Sequence, residues 1–133
     1  MYRIFSDGGS RGNPGPCAYA VIVTKDDKII HQHSEYLGIN TNNYAEYRGL
    51  IAGLSEAIKL NADNVEFIMD SQLVIKQMRG EYKVKNENII NLYQDAKALS
   101  SMIPNITFRN VPRSEMLIPL ADALLNKELD AHQ

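Results

Sequence analysis

The stretch Asp7-Gly8-Gly9-Ser10-Arg11-Gly12-Asn13-Pro14-Gly15-Pro16 decides how the rest of the chain is read. An acid closes a short apolar run of Tyr2, Ile4 and Phe5, and a loop rich in glycine and proline follows. Glycine lets a backbone turn sharply and approach a neighbour closely, while proline stiffens what remains. Alone, such a cluster reads as a tight connection between two strands. Residues 2–7 form the strand before it. Ala18 to Thr24 and Ile29 to Leu37 read as two more, joined by the polar turn Lys25-Asp26-Asp27-Lys28. Together they make an antiparallel meander.

Beyond the meander the period changes. Tyr47, Leu50, Ile51, Leu54, Ala57 and Ile58 recur at helical spacing, and Asn42 or Asn43 is placed to cap that helix, from about Tyr44 to Leu60. Val65 to Met69 is a short strand buried on both faces. Ser71 to Met78 forms a second helix stopped by Gly80, and about Glu87 to Ser100 a third with Ile89, Leu92, Tyr93, Ala96 and Leu99 inward. Ile106 to Val111 is a fifth strand, and Pro119 opens a last helix through Leu129. A meander followed by crossover units predicts an α/β fold. Its five-stranded mixed sheet is antiparallel through strands 1–3 and parallel thereafter, with helices on both faces.

At 133 residues and 15.0 kDa the chain reads as a single domain over 1–133 that buries a core without disulfides or structural metal. The net charge of −2 argues against a strongly basic nucleic-acid binder, although the distribution of charge matters more than its sum. No apolar run is long enough to span a membrane, and the first residues lack the shape of a signal peptide. Cys17 is the only cysteine, so no internal disulfide forms. It reads as strand packing, and a cytoplasmic location is the expectation. A monomer is expected because no heptad pattern or large unassigned apolar surface is evident.

Asp7, Glu46, Asp70 and Asp122 all stand at element ends. Each has an ordinary structural explanation. Asp7 suits a turn before glycine, and Glu46 lies three residues after Asn43, at capping-box spacing. Asp70 suits a helix N-cap, and Asp122 suits the first turn of the last helix, where the helix dipole favours an acid. Topology gathers them. Residues beyond the carboxyl ends of parallel strands collect along one sheet edge, where ligands bind. Asp7 and Asp70 close neighbouring strands, and Glu46 faces the same edge from the first helix. Like charges so placed need cations, and hard oxygen donors suit magnesium or manganese. Paired ions of this kind activate water and stabilise attacking and leaving oxygens in phosphodiester hydrolysis.

Five pieces carry a family resemblance. They are the opening stretch, Thr41-Asn42-Asn43-Tyr44-Ala45-Glu46-Tyr47, Asp70-Ser71-Gln72-Leu73-Val74-Ile75-Lys76-Gln77-Met78, Gly80-Glu81-Tyr82-Lys83-Val84-Lys85-Asn86, and Ala121-Asp122. In their order and spacing, the chain resembles the type 1 ribonuclease H family, especially compact forms without the basic helix-and-loop insertion. The resemblance implies an endonuclease that cuts the RNA strand of RNA/DNA hybrids and leaves 5′-phosphate and 3′-hydroxyl ends. It implies two Mg2+ or Mn2+ ions with substrate bound, one held by Asp7, Glu46 and Asp70 and the other by Asp7 and Asp122. Gly8 and Gly9 would offer backbone amides to RNA 2′-hydroxyls, the group that tells RNA from DNA. Asn13, Asn43 and Gln72 correspond to minor-groove and sugar contacts, with Ser71 beside them. For Gln72, a solvent-facing place in the first helical turn is the alternative. Thr41 and Asn42, with Asn13, correspond to a site for a DNA-strand phosphate.

Two regions depart from the family. Where it has Arg-Glu-x-Asn-x-x-Ala-Asp, this chain runs Arg113-Ser114-Glu115-Met116-Leu117-Ile118-Pro119-Leu120-Ala121-Asp122. The asparagine gives way to an apolar run, and Arg113 lies two residues farther upstream. No histidine lies between His33 and His132, so the role of a histidine that many bacterial relatives place in this loop is empty or falls to Arg113. His31 and His33 share one strand face and read as a metal pair or, more commonly, as solvent-facing residues. The basic insertion is also missing. Lys76, Arg79, Lys83 and Lys85 remain as a phosphate-facing patch or a solvated charge run, and hybrid binding is expected to be weak and salt-sensitive. Two other functions suit the same fold: a silent RNA- or hybrid-binding module, and a nuclease acting on double-stranded RNA. The retained acids speak against the first.

Overall fold

The computed structural model describes residues Met1–Gln133. The elements follow in the order β1 (Tyr2–Ser10), β2 (Gly15–Lys25), β3 (Lys28–Asn40), α1 (Asn42–Lys59), β4 (Asn64–Met69), α2 (Gln72–Met78), α3 (Glu87–Ser100), β5 (Asn105–Asn110) and α4 (Ile118–Ala131). The sheet order is β3-β2-β1-β4-β5. β1 pairs antiparallel with β2 and parallel with β4, and β4 pairs parallel with β5. This is the mixed sheet that the change of period predicts.

Period-two alternation divides the core between the two faces. Ile4, Val21, Val23 and Phe67 pack with Tyr47, Leu50 and Leu54 of α1 and with residues of α2 and α3. Their neighbours Phe5, Ala20, Ile22 and Ile68 pack on the opposite face against Ile118, Ala121, Leu125 and Leu129 of α4. Each full burial of an Ile, Leu or Phe stabilises the fold by about 1.5–3 kcal/mol. A one-residue slip of β1 would exchange these two sets, so its register is firmly specified. That register fixes where Asp7 stands.

The strands run farther than propensity suggests. β1 continues through Gly8, Gly9 and Ser10, which pair with Tyr19, Ala18 and Cys17. The connecting loop shrinks to four residues, closed by the Arg11 N–H donating to the Pro16 carbonyl at 2.8 Å. Pairing with a well-formed β2 outweighs the weak strand preference of glycine.

The caps also differ from expectation. Thr41, and neither Asn42 nor Asn43, caps α1, its hydroxyl accepting from the Tyr44 N–H at 3.1 Å. Ser71, not Asp70, caps α2 through the Val74 N–H at 3.3 Å. Asp122 lies in the second turn of α4, because that helix already begins at Ile118. In the first two cases an adjacent hydroxyl satisfies the helix end and leaves the amide or acid for other work. No helix is long and apolar enough to cross a membrane.

Candidate active site

Asp7 and Asp70 meet because of strand register. The parallel pairing of β1 with β4 ends at Phe5 opposite Ile68, and each acid lies two residues beyond its member of that pair. Both side chains therefore project to the same side of the sheet, at the carboxyl ends of adjacent strands. Asp7 is only 6% exposed. Past Phe5, β1 has lost its neighbour β4 and one edge of its backbone is open. The Ser10 N–H points away from β2, to Asn42 Oδ1 at 3.1 Å. By the alternation of an antiparallel ladder, the Gly8 N–H two residues earlier faces the same open edge.

Gly8 brings Glu46 to Asp7. A Cβ at Gly8 would lie 2.5 Å from the backbone of Ala45 and Glu46, so any larger residue would push α1 off β1. Glu46 is then held by Asn42, whose Nδ2 donates to Oε1 at 3.2 Å. Asn42 is the junction of this half of the site. Its side chain also accepts from Ser10, and its own N–H donates to Asn13 Oδ1 at 3.0 Å. One residue thus ties the end of β1, the glycine loop and α1 together.

Asp122 enters from α4, and Arg113 from the loop before it. These residues line one polar cleft of about 290 Å³ with Asp7, Gly8, Gly9, Asn42, Glu46, Asp70 and Ser71. Arg113 Nε stands 3.6 Å from Asp70 Oδ2, with its side chain 84% exposed. Ser10, Arg11 and Asn126 complete the polar lining, and sequence reasoning had given none of them a part. Asn126, one helical turn beyond Asp122, was the detectable signal.

Crowding and burial set the electrostatics of the cleft. Burial pushes the Asp7 carboxyl up from 3.8 to about 8, and repulsion from Asp70, Asp122 and Glu46 and a hydrogen bond with Asp70 add to the shift. Burial likewise pushes Glu46 up from 4.5 to about 7, against hydrogen bonds from Ser71 and Asn42 that favour its charged form. All-oxygen donors with this crowding suit a hard divalent cation. The acids stand around the cleft rather than in a closed cage: no three His, Cys, Asp or Glu side chains in the chain already form a metal-holding group.

The other sequence-predicted contacts lie outside the cleft. Asn13 and Thr41 shape it from behind, as the partner of Asn42 and the cap of α1. Asn43 Oδ1 is buried without a hydrogen-bond partner. Gln72 is exposed at the start of α2. Lys83 and Lys85 lie exposed on the α2–α3 link, and Lys76 is turned onto the Tyr82 ring at 5.0 Å. His31 and His33 stack at 6.4 Å on β3, facing Glu56 at 3.7 Å and Glu35 at 3.9 Å respectively.

Known proteins share this fold. Residues 5–126 match the family model described as reverse transcriptase-like. The N-terminal RNase H domain of Rv2228c from Mycobacterium tuberculosis superposes with a TM-score of 0.93 at 44% identity, covering 98% of this chain and 94% of that one. LC11-RNase H1, solved in complex with an RNA/DNA hybrid, gives 0.91 at 34% identity, covering 99% of each chain. Ribonuclease HI of Halobacterium salinarum is 38% identical over 95% of this chain and 63% of its own length. The chain spans only 35% of the full mycobacterial bifunctional protein Rv2228c. By its five-stranded mixed sheet and a likeness that covers nearly its whole length, the chain belongs to the ribonuclease H family.

Proposed function

We propose that this chain is a divalent-metal-dependent endoribonuclease that hydrolyses the RNA strand of RNA/DNA hybrids. The observation that carries the reading is the convergence of Asp7, Glu46, Asp70 and Asp122, from four separate elements, on one polar cleft. Asp7, Glu46 and Asp70 would hold one Mg2+ or Mn2+, and Asp7 with Asp122 a second. When bound, such ions lower the pKa of water and stabilise the charge developing on the attacking and leaving oxygens.

The chain's own residues do the rest. Gly8 presents its N–H at the open edge of β1, within the cleft, where an RNA 2′-hydroxyl has a donor to accept from and DNA has nothing to offer. Ser71 and Asn42 keep Glu46 oriented and favour its ionised form. Arg113, exposed at the cleft mouth beside Asp70, supplies a positive charge for a phosphate. The products are a 5′-phosphate and a 3′-hydroxyl. The hybrid-bound LC11 relative supports the substrate class, and the buried, unpaired Cys17 suits a reducing cytoplasm.

One gel tests the reading. Matched RNA/DNA, RNA/RNA, DNA/DNA and single-stranded substrates are incubated with magnesium, manganese or EDTA. Metal-dependent cutting confined to the RNA of the hybrid is the expected result. Preference for RNA/RNA would reassign the substrate, and binding without cleavage under either metal would leave a binding module.

A further inference from the structure

Asp122 is the acid with the least local support. The helix that carries it, α4, has no side-chain hydrogen bond at its N-cap Leu117, and the preceding Met116 takes a left-handed backbone with φ of 55°. This is the segment whose sequence departs from the family; apolar packing of Ile118 and Ala121 seats the start of α4 on the sheet, and polar contacts farther along the helix hold its loop-facing stripe in place. We infer that Arg11, in the glycine loop, is the positioning residue that fixes Asp122 relative to Asp7.

The guanidinium of Arg11 reaches across to α4. Its terminal nitrogen lies 2.7 Å from Asp130 Oδ1, 3.2 Å from Asn126 Oδ1 and 3.4 Å from the Asn126 carbonyl. Asn126 in turn donates through Nδ2 to the Asp122 carbonyl at 2.9 Å. Residues 122, 126 and 130 recur every fourth position, so all three lie on one stripe of α4 facing the loop. Arg11 is itself anchored. Its N–H donates to the Pro16 carbonyl, and the backbone of Gly15 passes so close to the Arg11 carbonyl that a Cβ there would overlap it. The rigid loop, Arg11 and the side chains of Asn126 and Asp130 thus connect Asp7 to the backbone of Asp122 without passing through the irregular 112–117 segment.

The inference rests on the metal-dependent reading above, and its position outside the ligand set makes its consequences distinct. Arg11 lines the cleft but is not one of the four acids that would hold the ions. Loss of its clamp leaves Asp7, Glu46 and Asp70 in place and loosens the fourth acid, so the magnesium requirement rises while hybrid affinity stays close to that of the parent. Residues that orient metal ligands typically change metal affinity or activity by about 10- to 100-fold, and the lower end suits a half-exposed clamp.

The test uses Arg11→Ala, Asp130→Asn and the swap Arg11→Asp/Asp130→Arg in the full chain. Three quantities are read: the magnesium concentration giving the half-maximal rise in melting temperature, kcat and KM for an RNA/DNA hybrid, and hydrogen exchange across α4. R11A is expected to raise the half-maximal magnesium concentration by about tenfold, lower kcat more than it raises KM, and speed exchange over the clamped turns of α4, residues 122–130. D130N should move each quantity in the same direction by less, and the swap should recover part of the loss. A rise confined to KM in R11A, with D130N unchanged, would make Arg11 a substrate contact and overturn the inference. So would a magnesium response identical in parent and variants. A parent protein indifferent to magnesium would overturn the metal reading and this inference together.

Discussion

The two halves of the cleft are built to different standards. On the β1–α1 side, Asp7 is buried in a central strand, Gly8 lets two backbones touch, and Asn42 bonds three segments at once. On the α4 side, Asp122 is half-buried, its helix lacks a side-chain cap, and Arg113 stands almost wholly in solvent. The first half has its geometry fixed by packing that also stabilises the fold. In the second, apolar packing seats the helix on the sheet, but the acid itself is steadied by a few polar links at the surface, where side-chain entropy and solvent weaken each contact. A metal site so divided should respond unequally to damage in its two halves.

The largest effect expected is on turnover. Asp70→Asn removes one negative charge from the rigid half but keeps its shape. It should leave folding and hybrid binding intact while lowering kcat by on the order of 10²–10³-fold or more, the scale for losing one preorganised electrostatic group. Asp122→Asn should cost less, because the site it serves is held loosely already. Single-turnover kinetics at saturating magnesium would compare them. Equal losses would erase the asymmetry, and retained turnover in D70N would sink the metal-site assignment itself.

Stability should show the next largest difference, between two adjacent glycines. At Gly8 an added Cβ meets the α1 backbone at 2.5 Å, and backbone cannot rotate away. At Gly9 the nearest atoms are Asn42 Oδ1 at 3.6 Å and Leu125 Cδ1 at 3.7 Å, ordinary contact distances. Gly8→Ala should therefore destabilise the fold by about 1–3 kcal/mol, as overpacking does. Gly9→Ala should stay within about 0.5 kcal/mol of the parent. Urea denaturation of the two variants measures both. Similar midpoints would mean that α1 is freer to move than the tight half requires.

The same division explains what the sequence could reveal. The order of strands and helices, the two-faced core and the four acids are legible because apolar periodicity and register are local signals that topology then combines. The caps are not. Thr41, Asn42 and Asn43 are all able to cap α1, and Asp70 and Ser71 both suit α2. Local propensity does not say that Asn42 is needed at Ser10 and Glu46, or that Asp70 belongs to the cleft. Arg11 is hidden for a related reason. Its partners Asn126 and Asp130 are more than a hundred residues away, and only the packing of α4 on the sheet brings them near. The extension of β1 through two glycines is likewise decided by its partner strand rather than by its own residues.

The smallest effect expected is on the pH dependence of the metal-free protein. Asp7 is raised from 3.8 to about 8 and Glu46 from 4.5 to about 7, so the folded state keeps protons that the unfolded chain gives up. The sign follows directly: wherever the folded state binds more protons, stability falls as pH rises. The contribution of these two groups is whole below about pH 4, shrinks steadily from there as pH rises through about 7 and 8, and is gone only above the folded value of Asp7. Thermal melts in EDTA should therefore show a lower melting temperature at pH 8 than at pH 6. Magnesium should reverse the order, because a cation binds the ionised carboxylates and stabilises the folded state by mass action. The gain from millimolar magnesium should thus be larger at pH 8 than at pH 6. Since both shifted groups belong to the β1–α1 half, Asp7→Asn should flatten the metal-free slope, whereas Asp122→Asn should leave most of it. A slope that survives D7N would place its origin outside the cleft.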